Sequence, residues 1–231
     1  MVSINEHGQP VGDEVPGWAG CPWPEPVRLG GRHVVVDPLA LDHAPALFAA
    51  LCGAEDHALW TYRATEPPAT VEDMTDLVRR DLEDPSTVTF VLRPDGGEPA
   101  GLASYLRIDA ASGSIEIGSI LFARSLQRTA AATEAVHLLM RHALEDLGYR
   151  RFEWKCDALN EPSRRAAERF GFTHEGRFRQ HLVVKGRNRD TDWYAVTDAD
   201  WPAVRREHER WLDPANFDAE GRQRSRLRVV G

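Results

Sequence analysis

Leu126-Gln127-Arg128-Thr129-Ala130-Ala131-Ala132-Thr133-Glu134-Ala135 is the run on which the reading of the whole chain turns. Upstream of it, Ser114 to Phe122 (SIEIGSILF) is dense in β-branched and aromatic residues and predicts a strand. Downstream, Val136, Leu139, Met140, Ala143, Leu144 and Leu147 recur at helical spacing, and Gly148 is placed to stop the helix. A strand, a loop of small side chains and then a helix is an arrangement suited to phosphate. Small residues let backbone N–H groups approach an anion, and the helix N-terminus adds partial positive charge. Arg128 offers a full one. Alanines that begin a helix are usually there for helix propensity, so the loop by itself leaves both readings open.

Further out, Val34-Val35-Val36 predicts a first strand. Asp37-Pro38 or Asp42 is placed to cap a helix through Leu47, Phe48 and Leu51, ended by Gly53. Trp60 to Pro68 has no clear periodicity. Thr70 and Asp73 form a capping-box start for a helix carrying Val71, Met74, Leu77, Val78 and Leu82. Thr87 to Leu92 and Pro99 to Ile108 read as strands around the turn Pro94-Asp95-Gly96-Gly97. After the central helix come a strand, Arg151 to Cys156, and a short helix, Glu161 to Phe170, capped by Asn160 and closed by Gly171. Two antiparallel strands, Phe172 to Val184 and Asp190 to Val196, follow, joined by the basic turn Lys185 to Arg189. A last helix aligns Trp201, Val204, His208 and Trp211. The expected class is α+β: one mostly antiparallel, mixed sheet flanked by helices. Its segments are an extended Pro/Gly-rich arm (residues 1–30, carrying Trp18 and Trp23), one domain (31–197), and a C-terminal helix with a basic tail (198–231).

At 231 residues with a net charge of −8, the chain has the composition of an ordinary globular protein. The charge weighs against non-specific nucleic-acid binding. Cys21, Cys52 and Cys156 are odd in number and far apart, and neither C-x-x-C nor H-E-x-x-H occurs, so no disulfide framework or metal site is expected. No apolar leader and no membrane-length run is visible, so a cytoplasmic protein without a membrane partner is the expectation. Arg222, Arg224, Arg226 and Arg228 read as a solvated tail.

This order of elements resembles the Gcn5-related N-acetyltransferase (GNAT) superfamily, and within it the ribosomal-protein N-terminal acetyltransferases, over about Gly31 to Val196. Gln127 to Ala132 resembles the family's pyrophosphate signature Q/R-x-x-G-x-G/A, with Ala130 at the first glycine. Asn160-Glu161-Pro162-Ser163 with Phe170-Gly171-Phe172 resembles its Asn-x-x-Ser helix ending in Gly-Phe. Ile115-Glu116-Ile117-Gly118 resembles the strand that parts from its neighbour, leaving an edge expected at Ile120, Leu121 and Phe122. The resemblance implies acetyl-CoA as donor, with Gln127, Arg128, Thr129, Ala130, Ala131, Ala132 and Thr133 around its phosphates. Asn160 and Ser163 would lie near its pantetheine and thiol.

It also implies direct attack by a primary amine, from a protein N-terminus or a small molecule. Glu116 is the candidate base through a water, and Ser163 a hydrogen-bond partner for sulfur. The tyrosine that often serves as acid is replaced by Ala167. Acceptor contacts are expected from Trp60, Tyr62, Arg63 and Met74, with Asp73, Asp76, Glu83 and Asp84 offering negative charge or simply a solvated helix face. Two rivals stand: another donor such as succinyl-CoA, with Arg63 or Arg124 on the extra carboxylate, and a non-catalytic CoA-binding interaction domain. Monomer and homodimer are both open.

Overall fold

The computed structural model describes residues 3–229. In chain order the elements are β1 (Ser3–Ile4), β2 (Pro10–Val11), β3 (Leu29–Gly30), β4 (Val34–Pro38), α1 (Ala44–Leu51), α2 (Val71–Glu83), β5 (Val88–Pro94), β6 (Gly101–Asp109) and β7 (Ser114–Phe122). They continue with α3 (Ala130–Arg141), β8 (Arg151–Asp157), α4 (Glu161–Arg169), β9 (Thr173–Val184), β10 (Arg187–Thr197) and α5 (Trp201–Leu212). β1 and β2 form a separate small hairpin, and the other strands make one sheet in the order β3-β4-β5-β6-β7-β8-β10-β9. Every neighbouring pair is antiparallel except β7 with β8. This is the mixed, mostly antiparallel α+β architecture expected.

Apolar periodicity explains most of the packing. α2 buries Met74, Leu77 and Val78, and its Thr70/Asp73 capping box forms as the spacing predicts. α3 buries Val136, Leu139 and Met140 among ten buried positions. Trp201 and Trp211 of α5 are buried within the chain. The arm lies along the β6–β7 turn, where Trp18 Nε1 donates to the Ala111 carbonyl at 2.8 Å, while Trp23 stays exposed.

Three local expectations are corrected. Neither Asp37 nor Asp42 caps α1. A 3₁₀ turn, Leu41–His43, precedes it, and His43 Nδ1 accepts the Ala40 N–H at 3.1 Å. Asp37 instead belongs to β4 and pairs with Arg93 at 3.0 Å. The helix after the central loop ends in a π turn, His142–Asp146. There the buried Tyr105 hydroxyl donates to the Leu139 carbonyl at 2.6 Å, entering the helical ladder from the sheet. Gly148 closes it at φ 73°, the left-handed stop expected. The basic turn shrinks to Lys185-Gly186, because β10 begins at Arg187.

Candidate functional site

The parallel strands β7 and β8 pair at only three positions, Ser114↔Arg151, Ile115↔Phe152 and Glu116↔Glu153. Beyond these, β7 runs on against β6 and β8 against β10, so the sheet opens. On β7, Ser119 and Ile120 face the single residue Ala103, a bulge with Ser119 at φ 51°. A cleft of about 1070 Å³ occupies the opening. It is lined by Ile120, Leu121 and Phe122, by Gln127 to Ala130, Ala132 and Thr133, and by Asn160 and Ser163. Of the coenzyme contacts expected from sequence, Ala131 alone is missing from this lining; its side chain is buried.

Local chemistry prepares the loop for an anion. Arg128 adopts φ 62° and turns the chain into α3. Thr129 then caps the helix: its Oγ1 accepts the Ala132 N–H at 3.1 Å and donates to the Leu126 carbonyl at 2.7 Å. The N–H groups of Arg128, Thr129, Ala130 and Ala131 have no acceptor among the described residues. Ala130 is the first helical residue and its φ is not positive, so its methyl introduces no backbone strain. Glu134, one turn on, fixes the loop to the sheet by accepting the N–H groups of Arg32, His33 and Val34 at 2.9, 2.6 and 3.1 Å.

At the other wall, Asn160 Oδ1 caps α4 by accepting the Ser163 N–H at 3.2 Å. Trp154 Nε1 donates to Ser163 Oγ at 3.0 Å, which orients that hydroxyl. Ala167 is fully buried and leaves no acid in the tyrosine position. Burial pushes the neighbouring Cys156 thiol up to about 11, so it stays protonated at neutral pH and offers no thiolate nucleophile.

Glu116 is 2% exposed. Its carboxylate accepts from Arg107 Nη1 at 2.8 Å and lies 3.0 Å from Lys155 Nζ. Lys155 Nζ also lies 2.7 Å from Glu153 and 3.6 Å from the Trp193 ring centroid. Burial raises the Glu116 carboxyl more than these cations lower it. For Glu153, burial also pushes upward, but hydrogen bonds from Arg151 and Lys155 outweigh it. The side chain expected to meet an acceptor through water is therefore embedded in an ion-pair chain.

Two of the side chains expected to contact an acceptor lie in the core. Met74 is 0% and Trp60 1% exposed, both part of the core, with Trp60 Nε1 donating to the Leu51 carbonyl. Tyr62 and Arg63 remain accessible. Tyr62 donates from its hydroxyl to the Leu159 carbonyl at 3.1 Å, which joins this segment to the cleft. Lys185 Nζ donates to the Trp60 carbonyl at 3.0 Å and pairs with Glu66 at 3.2 Å, so the β9–β10 tip closes on the same segment. Arg63 is half-buried and its Nε has no acceptor, whereas Arg124 is engaged by Asp56 at 2.9 Å and by Glu55. Asp76 pairs with Arg79, and Asp73 is spent on its cap.

The sequence reading missed the C-terminal contribution. The tail is folded, and Trp211, Phe217, Arg222 and Gln223 line the cleft beside Arg165 and Arg169 of α4. The Trp201-to-Trp211 stripe signals that α5 docks. Nothing in the alternating arginines says where the chain goes next.

A parted strand pair, a helix N-terminus with open N–H groups and an Asn-capped helix facing it define an acyl-coenzyme A–type transferase fold. The Acetyltransferase (GNAT) domain family matches residues 33–173, and the chain belongs to the GNAT acetyltransferases. It is 43% identical to a GCN5-related N-acetyltransferase of Brucella melitensis, with a TM-score of 0.90 over 92% of this chain and 97% of that one. A GNAT-family structure from Chromobacterium violaceum ATCC 12472 is 36% identical, with a TM-score of 0.79 over 84% and 98%. YdaF of Bacillus subtilis (strain 168), whose name assigns it provisionally to ribosomal N-acetylation, is 28% identical over 62% of this chain and 78% of its own length. Among the described residues no helix is long and apolar enough to cross a membrane, and no three metal-ligating side chains converge.

Proposed function

We propose that this chain moves an acetyl group from acetyl-CoA to a primary amine, with a protein N-terminus as the preferred acceptor. The observation that carries the donor assignment is the cleft itself, where a free strand edge, four unsatisfied N–H groups and the Asn160–Ser163 turn face one another. Pantetheine amides pair with the edge at Ile120 to Phe122 as an added strand would. The diphosphate sits on the N–H groups of Arg128 to Ala131. The acyl end then reaches the Ser119–Ile120 bulge, whose backbone N–H groups polarise the thioester carbonyl.

The amine attacks that carbonyl, the C–S bond breaks, and the thiol leaves as thiolate. With a thiol pKa near ~8.5, departure needs little acid assistance. Ser163 serves the sulfur only by hydrogen bonding. The choice of an α-amine follows from Glu116 being engaged by Arg107 and Lys155 rather than free to take a proton. Deprotonating a lysine-like amine at pH 7 costs roughly 4.6 kcal/mol, whereas an α-amine costs about 1. Glu116, held by Arg107 and Lys155, acts as a positioning carboxylate, and solvent takes the proton. The name carried by the Bacillus relative supports a ribosomal-protein N-terminus as one such acceptor.

Calorimetry with acetyl-CoA, and with succinyl-CoA as comparator, tests the donor on wild type and Ala130→Glu. Thiol release with peptides bearing free N-termini, against matched peptides with only lysine amines, tests the acceptor. Micromolar acetyl-CoA binding abolished by Ala130→Glu, with turnover confined to free N-termini, is the expected result. Tight binding without turnover of any amine would leave only the interaction-domain reading. No binding by the wild type would overturn the donor site.

A further inference from the structure

Four arginines stand around the cleft, and their partners separate them. Arg165 pairs with Glu161 on its own helix, and Arg222 lies 2.8 Å from Asp218 and 3.0 Å from Glu220. Arg128 is exposed at the loop. Arg169 differs from all three. It is half-buried, has no carboxylate within ion-pair distance among the described residues, and is nonetheless fixed in place. Its Nη1 donates to Thr133 Oγ1 at 3.0 Å, on the first turn of α3. Its guanidinium carbon stands 4.9 Å from the Trp211 ring centroid and 5.4 Å from that of Phe170.

We propose that Arg169, clamped between Thr133 and Trp211, is the seat for a phosphomonoester at the nucleotide end of the donor, built with residues outside the family domain. This rests on reading the cleft as the donor site. Trp211 Nε1 donates to Gln223 Oε1 at 2.8 Å, and its ring meets Phe217 edge-on at 5.2 Å. All three lie beyond residue 173, where the family match ends.

Stripping water from a guanidinium without a counter-ion is costly, and burial already lowers the Arg169 pKa. A planar, fixed, unpaired guanidinium beside a helix N-terminus suits a dianionic phosphate. Two separate anion seats then face the cleft, the N–H groups of the loop and the Arg169 fork. Six residues of helix, about 9 Å, separate Ser163 from Arg169, so the fork lies well away from the thiol end. The two seats match the two phosphate groups of coenzyme A, the diphosphate and the 3′-monoester on its ribose. Phe217, half-buried on the cleft wall, is the ring available to the adenine, while Trp211 backs the guanidinium from the core.

Acetyl-CoA and acetyl-3′-dephospho-CoA, titrated calorimetrically into wild type, Arg169→Gln and Arg222→Gln, test this. Wild type and Arg222→Gln should prefer the 3′-phosphorylated donor by about 10- to 100-fold. Arg169→Gln should bind acetyl-CoA only as tightly as its dephospho form, with affinity for the latter unchanged. Equal loss for both donors in Arg169→Gln would assign the residue a purely structural role and overturn the proposal. So would undiminished discrimination. Failure of wild type to bind either donor would instead overturn the reading of the cleft.

Discussion

His208 offers a measurable link between pH and the docking of the C-terminal helix. Its side chain is 0% exposed on α5. Its Nε2–H donates to the Phe170 carbonyl at 3.1 Å, and its ring meets His137 of α3 at 5.5 Å. Burial first, then nearby His137 and Arg169, push its pKa down to about 3, against the opposing pull of the Phe170 carbonyl and Glu207. In the unfolded chain the imidazole titrates near ~6.5. Between these values the unfolded state holds a proton that the native state refuses, so stability is complete above the unfolded pKa and drains as pH falls. Each pH unit in that window costs about 1.4 kcal/mol, so going from about pH 7.5 to 5 removes roughly 2 kcal/mol. His208→Gln keeps a donor for Phe170 but cannot charge. Urea unfolding of both proteins at the two pH values gives the result as a difference, which cancels the contributions of His137, likewise lowered by burial, and of Glu116, which is raised. The variant should lose about 2 kcal/mol less than wild type on acidification. Parallel losses would refute the buried, neutral imidazole.

Two other substitutions probe the frame of the site. A Cβ at Gly31 would lie 2.3 Å from Glu134 Oε2 and displace the carboxylate that holds three N–H groups of the β3–β4 turn. Gly31→Ala should cost about 1–3 kcal/mol in chemical denaturation and weaken donor binding, because α3 carries both Glu134 and the phosphate loop; an unchanged midpoint would show that Glu134 relocates freely. Lys155→Met leaves Glu116 and Glu153 facing each other without their shared cation. It should cost about 3–5 kcal/mol at neutral pH, with part recovered on acidification as Glu116 protonates; a pH-independent loss would count against charge as the cause.

Much of the cleft wall was legible because it is local. Capping by Asn160 and the positive-φ stop at Gly148 are each decided within a few residues, and the spacing shows them. Met74 and Trp60 illustrate the opposite. The stripe Val71, Met74, Leu77, Val78 already marked Met74 as core, and a helix cannot spend one side chain both on the core and on an acceptor. Trp60 lies in a stretch with no periodicity to declare its direction. The tail was illegible for a related reason. Its arginines are exposed, as their alternation suggests, but the backbone between them is tied down: Asn216 Oδ1 accepts the Ser225 N–H at 2.9 Å, Leu227 is buried, and the Arg228 N–H reaches Glu207 at 2.8 Å. Contacts that fold a polar segment back onto a helix leave no period in the sequence.

The same limit applies to Glu116, and its position explains why the sheet opens where it does. Ser114↔Arg151 and Ile115↔Phe152 pair without conflict, but the next rung sets Glu116 opposite Glu153. Facing carboxylates destabilise a strand pair, more so when buried. Lys155, two residues past the last rung on β8, lies against both, while Arg107 takes the far side of Glu116 and Arg151 that of Glu153. Arg151 reaches on to Glu175, so charge alternates across the face from β6 to β9. Trp193, opposite Lys155 on β10, covers the ammonium and holds β8 toward β10. β7 turns the other way, through its bulge and into β6. The last shared rung is thus a charge clamp, and immediately beyond it the two strands are committed to different neighbours. Glu116 is therefore a member of the clamp at which the two strands part.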